Sequence, residues 1–263
     1  MSNSIKLTAL LSCLVILCGC FVSCVVPDGG EQGGNNNTGG LPSDKYVATI
    51  NISYETDDEK LATAVSAMNN VVTTVTANGD DLKISSNANL GGITVNNEYV
   101  YIGDMLYYSV TLALTNKGAT DYKKAPMTDD DRDALLSKIG PGASVGVNDF
   151  LKFDKVKTDN VITYTCSNMT RESKDSLAKV LSSKLSTLGA TVTVNSASYN
   201  LKLVDDRNSE STLSCDLTVT MDGAEYQLTV NIECEYDYDA DTAVSAPQNA
   251  DKYTEVSLSD IIG

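Results

Sequence analysis

Residues 213–236 read LSCDLTVTMDGAEYQLTVNIECEY, and this stretch decides the fold class. Leu213, Cys215, Leu217, Val219 and Met221 alternate with Ser, Asp and Thr. Beyond Asp222-Gly223, Tyr226, Leu228, Val230, Ile232 and Cys234 alternate with Gln, Thr, Asn and Glu. A period of two places each set on one side of a strand, and Asp-Gly between two such runs is the chemistry of a two-residue hairpin turn. The stretch is therefore a long hairpin with one apolar and one polar face, an antiparallel unit built to bury one side.

The same alternation recurs upstream. Tyr46, Ala48, Ile50, Ile52 and Tyr54 form one apolar strand face, and β-branched strands with turns at Asn78-Gly79 and Gly91-Gly92 follow from Val71. Between Tyr99 and Leu114, Gly103-Asp104 suits a type II′ turn with glycine first. That register gathers Tyr99, Tyr101, Leu106, Tyr108, Val110, Leu112 and Leu114 on one face, against Met105, Tyr107, Ser109 and Thr111 on the other. Asn116-Lys117-Gly118 then turns the chain, and Pro126 ends the next strand.

Three helices interrupt the strands. Thr56-Asp57-Asp58-Glu59 has the spacing of a capping box and predicts a helix to about Asn69 that buries Leu61, Val65 and Met68. Thr128-Asp129-Asp130-Asp131 opens a second, its aspartates complementing the positive end of the helix dipole, and Gly140-Pro141 stops it. The third starts near Thr170: Leu177, Val180, Leu181, Leu185 and Leu188 form one stripe suited to lying across a sheet, and Gly189 caps it. Ser245 to Gly263 reads as an extended final pass with an edge strand from Tyr253 to Leu258. Strands with interspersed helices predict an α+β fold, a curved antiparallel sheet covered on one face by helices. Strand, capped helix and β-branched run occur both at Tyr46 to Ala77 and at Val161 to Val194, as a diverged duplication would leave them.

The N-terminus has a different character. Met1 to Lys6 is polar with one positive charge, and an apolar run to Gly19 ends in small residues and cysteines, the layout of a secretory signal. Leu17-Cys18-Gly19-Cys20 resembles a lipobox, with Cys20 as the residue to be acylated. Phe21-Val22-Ser23-Cys24 offers Cys24 as an alternative with a bulkier residue at −3. The uncharged stretch from Leu7 to Val26 also has the length of a membrane-spanning helix, and on each reading the remaining chain lies outside the cytoplasm. Residues 1–19 are thus a signal, 20–44 a lipidated tether rich in Gly and Asn, and 45–263 a single β-rich domain.

Charge and composition exclude several activities. The chain carries −16, and loss of Lys6 with the signal leaves 18 basic against 35 acidic residues, or −17. Nucleic acid, which needs a basic stripe, is not an expected partner. Histidine is absent, which removes Ser-His-Asp and Cys-His nucleophiles and His-containing zinc sites. No catalytic residue, metal ligand set or cofactor motif stands out, and a binding protein is expected rather than an enzyme. Cys166, Cys215 and Cys234 fall on apolar strand faces. Export invites a disulfide, yet the Asp222-Gly223 register sets Cys215 opposite Val230 and leaves Cys234 four residues out of line; Cys166 paired with either, or buried free thiols, remain open. Glu233, Glu235, Asp237, Asp239 and Asp241 read as a solvated strand face, since a calcium loop from Asp237 would need Gly at Thr242 and Glu at Gln248.

The lipobox, the tether, Val100-Tyr101-Ile102-Gly103-Asp104-Met105-Leu106-Tyr107-Tyr108, Tyr122-Lys123-Lys124-Ala125-Pro126, Ser245-Ala246-Pro247 and Tyr253-Thr254-Glu255-Val256 together resemble the LolA/LppX-like bacterial lipoproteins. The resemblance covers most of Tyr46 to Leu258 in layout. It implies an antiparallel half-barrel closed by helices around a hydrophobic cavity for acyl chains, held by a lipid anchor on the extracytoplasmic side of a bacterial cell membrane. The LolA branch is itself unanchored, so an anchored, acidic chain departs from that role. The apolar hairpin faces supply the expected lining: Tyr101, Leu106, Tyr108, Val110 and Leu112 from one hairpin, Leu217, Val219, Leu228 and Val230 from the other. A second expectation is a tethered interaction or sensor domain with a filled core that meets a protein through an exposed tyrosine edge at Tyr236 and Tyr238.

Overall fold

A computed structural model describes residues 45–59, 62, 65, 71–90, 93–114, 117–128, 131, 145–185, 189–221 and 223–262. The expectations for Cys20 and Cys24, for Leu61, Met68 and Leu188, and for most of the second helix lie outside these residues.

The strands are β1 (Tyr46–Glu55), β2 (Val71–Asn78), β3 (Asp81–Leu90), β4 (Ile93–Ile102), β5 (Met105–Leu114), β6 (Lys117–Pro126), β7 (Phe150–Thr158), β8 (Val161–Met169), β9 (Ala190–Val204), β10 (Arg207–Met221), β11 (Ala224–Asp237) and β12 (Thr254–Glu255). They form one sheet in the order β12-β6-β5-β4-β3-β2-β1-β11-β10-β9-β8-β7. Every neighbour is antiparallel except the short β12, which lies parallel to β6. Two runs of consecutive strands, β1 to β6 and β7 to β11, are thus joined where β11 returns beside β1, with Ile50 opposite Cys234 and Ile52 opposite Ile232.

The helix-covered α+β architecture is overturned. Two helices are delimited among the described residues, α1 (Arg171–Leu185) and the four-residue α2 (Ser259–Ile262); Glu59, Ala62 and Val65 are also helical. A helix of α1's length is roughly 22 Å long and about 10 Å wide, whereas a ladder of this many strands is about 50 Å across at roughly 4.8 Å per strand. One such helix covers about two strands. Yet the same sheet face is hidden across most of its width: Leu106 and Thr73 are 0% exposed, Ile50 0%, Cys234 3% and Tyr199 1%, and all but Thr73 and a few peripheral residues form a single apolar cluster. The described helices cover only part of that face, and the LolA-like half-barrel closed by helices is not the architecture.

The helical details follow their local chemistry. The Thr170 hydroxyl accepts from the Ser173 N–H (3.1 Å), the N-cap the sequence predicts, and the Ser173 hydroxyl donates to the Asp149 carboxylate (2.7 Å). Leu177 and Leu181 are buried as the stripe requires, while Val180 is half-buried. Gly189 takes φ +66°, as a helix-ending residue does. Thr56 departs from its predicted capping role: its hydroxyl accepts from Asp58 N–H and donates to the Gln227 carbonyl at 2.6 Å. The first helical hydrogen bond runs from Ala62 N–H to Asp58 O, so the helix starts two residues later. At Thr128 the box does form, with Asp131 accepting from both the Thr128 N–H and hydroxyl and donating its own N–H back.

In β9 the inward set changes from even to odd numbers, Val192 and Val194 before Ala197, Tyr199, Leu201 and Leu203, because the pairing with β10 shifts between Asp216 and Leu217. Asn195 is the extra residue, and its amide donates across to Thr218 Oγ1 at 2.9 Å. In both strand–helix–strand segments the strand after the helix lies antiparallel beside the strand before it, β2 on β1 and β9 on β8.

The β9–β10 turn carries conformational cost. Asp205 and Asp206 adopt φ +50° and +60°, the mirror-image turn that Asn-Gly fills most easily. Asp205 compensates through its backbone and side chain, both bonded to Asn160 of the β7–β8 turn. Among the described residues no such tie engages Asp206. Asp206→Gly is expected to stabilise the fold by about 0.5–1 kcal/mol, raising Tm by roughly 1–3 °C in a thermal melt; an unchanged or lower Tm would contradict this account of the turn.

Candidate functional site

The inner face is not uniformly closed. On β8 to β11 it is sealed: Leu217 is 4% exposed, Val219 2%, Leu228 4% and Val230 4%. These four predicted cavity residues are core side chains in cross-strand rows, Leu217 opposite Leu228 and Val219 opposite Tyr226. The structure separates them from the other five.

On β4 to β6 the same face opens progressively. Tyr101 and Leu106, opposite each other beside the Gly103 turn, are buried at 4% and 0%. One row on, Tyr99 and Tyr108 are half-buried with ring centroids 4.7 Å apart. Next come Asn97 and Val110, then Val95 and Leu112, then Ile93; Leu112 is 50% exposed and Ile93 40%. A shelf of apolar side chains thus leads from the packed core to solvent over four cross-strand rows. Gly103, at φ +57°, takes the left-handed first position of its turn, and this sets the register that aligns the rows.

Polar groups cross the shelf at fixed places. Ser86 lies opposite Asn97, and Val110 opposite Asp121. Lys123 lies opposite Tyr108 and approaches Asp121 at 3.4 Å. Burial raises the Tyr108 hydroxyl pKa, opposed by the Lys123 charge and a hydrogen bond with Tyr99, with Asp121 acting in the same direction as burial. An apolar surface with a few fixed polar groups can hold an aliphatic ligand and orient one polar end. Ser86, Asn97, Asp121 and Lys123 were not singled out in the sequence. Asn97 and Asp121 do sit at inward parity on their strands, but a polar residue on an apolar face becomes visible as part of a site only once the pairing is known.

The opposite side of β4 to β6 is covered by the C-terminal pass. Tyr253 packs edge-on against Tyr107 at 5.3 Å and against Tyr122 at 5.0 Å, hiding Val100, which is 2% exposed. The chain then pairs with β6 as β12, and Leu258 and Ile261 pack on the inner core. The predicted edge strand is therefore two residues long and wraps around the sheet edge.

The tyrosine edge is not free. Tyr236 and Tyr238 stack at 6.3 Å and pack against Tyr46, with Arg207 over Tyr238 at 5.2 Å. In the acidic run, Asp237 Oδ1 accepts from the N–H groups of Asp239 and Ala240, and Asp241 Oδ1 from Ala243; these carboxylates stabilise their own turns. Among the described residues no group of His, Cys, Asp and Glu is placed to hold a metal ion.

No family profile matches the chain, and no curated protein matches it. Among solved structures it is similar to the ywiB protein from Bacillus subtilis, 7% identical over 73% of this chain and 91% of that one, with a TM-score of 0.18. It is similar also to an inactive mutant of the CurJ dehydratase in complex with a compound, 7% identical over 73% and 75% of the two chains, with a TM-score of 0.12. Superpositions this loose carry no argument about function.

Cys166, Cys215 and Cys234 form no disulfide and are buried. Cys215 does face Val230, and Cys234 faces Ser211 on the same strand β10, so the offset anticipated from the turn keeps the sulfurs apart. Burial, with Asp216 beside it, pushes the Cys215 thiol up to about 12, and burial also raises Cys166. Thiolate is the reactive form. At pH 8 these three thiols are expected to resist Ellman's reagent in the native protein and to react fully in guanidinium; rapid native labelling of Cys215 would overturn their placement in the core.

Proposed function

We propose that the chain is an exported protein, tethered to the outer face of a bacterial membrane by a lipid on Cys20 or Cys24, whose open inner shelf binds an aliphatic ligand. The observation that carries the reading is the exposure gradient along β4 and β5. Folding hides the apolar face wherever it can, yet Val110, Leu112, Val95 and Ile93 stay partly or largely open in one contiguous strip. Exposed apolar patches rimmed by polar groups mark binding surfaces. An acyl chain laid along the strip removes CH₂ groups from water at about 0.8 kcal/mol each, and Lys123 stands where a carboxylate or phosphate head would be met. The Leu7 to Val26 stretch and the lipobox support the tether.

The test is a fluorescent fatty acid titrated against the purified protein. Leu112→Asp and Val110→Asp lie on the open shelf, so each is expected to weaken binding on the order of tenfold while shifting stability, for the half-exposed Leu112, by no more than about 0.5 kcal/mol. Leu217→Asp, in the sealed half, is expected to unfold the domain. Saturable binding that the two shelf variants leave unchanged would refute the shelf as the site, and the absence of any binding would refute the ligand class. For the anchor, an intact mass carrying a diacylglyceryl group at a new N-terminal Cys20 or Cys24 is expected; an unprocessed Met1 terminus would refute acylation.

A further inference from the structure

The two ends of the sheet are treated differently. At β6 the C-terminal pass pairs as β12 and continues around the edge, with Val256 N–H donating to Lys124 O. At the other end β7 pairs with β8 alone among the described strands. Every residue from Leu151 to Thr158 is exposed, and Leu151 at 73%, Phe153 at 52% and Val156 at 61% are three of the large apolar side chains left most open. Lysines guard many sheet edges against pairing. Here Lys152, Lys155 and Lys157 are interleaved with apolar residues and a single Asp154, which makes the strand basic in a chain of net charge −16.

We propose that β7 pairs antiparallel with β7 of a second copy of this chain, with the twofold axis at Phe153. A twofold axis normal to the sheet keeps each residue on its own face, so the residue on the axis fixes all other pairs. Centring on Lys152, Asp154 or Lys155 sets like charges directly opposite each other, and centring on Val156 sets Lys155 against Lys157. Centring on Leu151 leaves only three strand residues in register. Centring on Phe153 places the two rings together, sets Lys152 opposite Asp154 twice, and lays Leu151 against the aliphatic stem of Lys155 twice. It is the one long register in which charge and apolar surface are both complementary. It also carries the unpaired backbone groups of the edge into a continuous ladder, the mode by which strands add to exposed edges.

Sedimentation velocity on the full-length chain, with charge reversal, tests this pairing. Because the axis repeats each pair, one substitution alters two contacts. Lys152→Asp or Asp154→Lys alone is expected to raise the dimer dissociation constant on the order of tenfold or more, and the double variant Lys152→Asp/Asp154→Lys to restore it. Hydrogen exchange should show the amides of residues 151–157 slowing as concentration rises. A monomer at all concentrations overturns the proposal, and so does a dimer indifferent to both single reversals. Circular dichroism on each variant separates loss of pairing from loss of fold.

Discussion

A sheet of twelve strands with an apolar face running nearly its whole width has to hide most of that face, and among the described residues little helix does so. Apolar burial contributes about 25 cal/mol per Å², so exposing the face over several strands would cost more than a domain's net stability of about 5–15 kcal/mol. The inner sides of the neighbouring strands β1, β2, β10 and β11 share one core, in which Ile50, Ile52 and Cys234 are all but inaccessible. The β1–β11 junction is central to this arrangement because it joins the two runs of consecutive strands.

A sheet that stays open leaves two edges and an unevenly buried face. One edge is wrapped by the C-terminal pass, in which Tyr253 grips the outer face and Leu258 and Ile261 reach the inner one. The other edge, β7, keeps its apolar side chains in solvent. Inside, burial is complete where α1 and the longest strands meet, with Leu177 packed above β9, and it fades along β4 and β5 toward Leu112 and Ile93. The shelf and the bare edge are consequences of the same openness, and each offers apolar surface for a different kind of contact.

Much of the local structure was legible in the sequence. Alternation located the strands, glycine placed the turns at Gly79, Gly103 and Gly223, all with positive φ, and the Asp222-Gly223 register correctly set Cys215 against Val230. Of the nine residues expected to line a cavity, Tyr101, Leu106, Leu217, Val219, Leu228 and Val230 are in the packed core, Tyr108 and Val110 are half-open, and Leu112 is on the open shelf. The strand at Val161 was expected, but its hairpin partner β7 escaped notice because apolar and charged residues mix on both of its faces.

The sequence by itself determined which side of most strands is apolar, where the chain turns and where α1 is capped, because these depend on neighbours two to four residues away. The tertiary structure alone decided that β11 lies beside β1, that one open sheet joins all the described strands without a covering layer among the described helices, and that two equally apolar hairpins end differently, one sealed and one open. Periodicity reports the direction in which a side chain points. What stands opposite it is set by strands far away in the chain, as Val47 opposite Asp237 and the Asn231–Glu55 contact, 176 residues apart, show, and no local pattern encodes that distance.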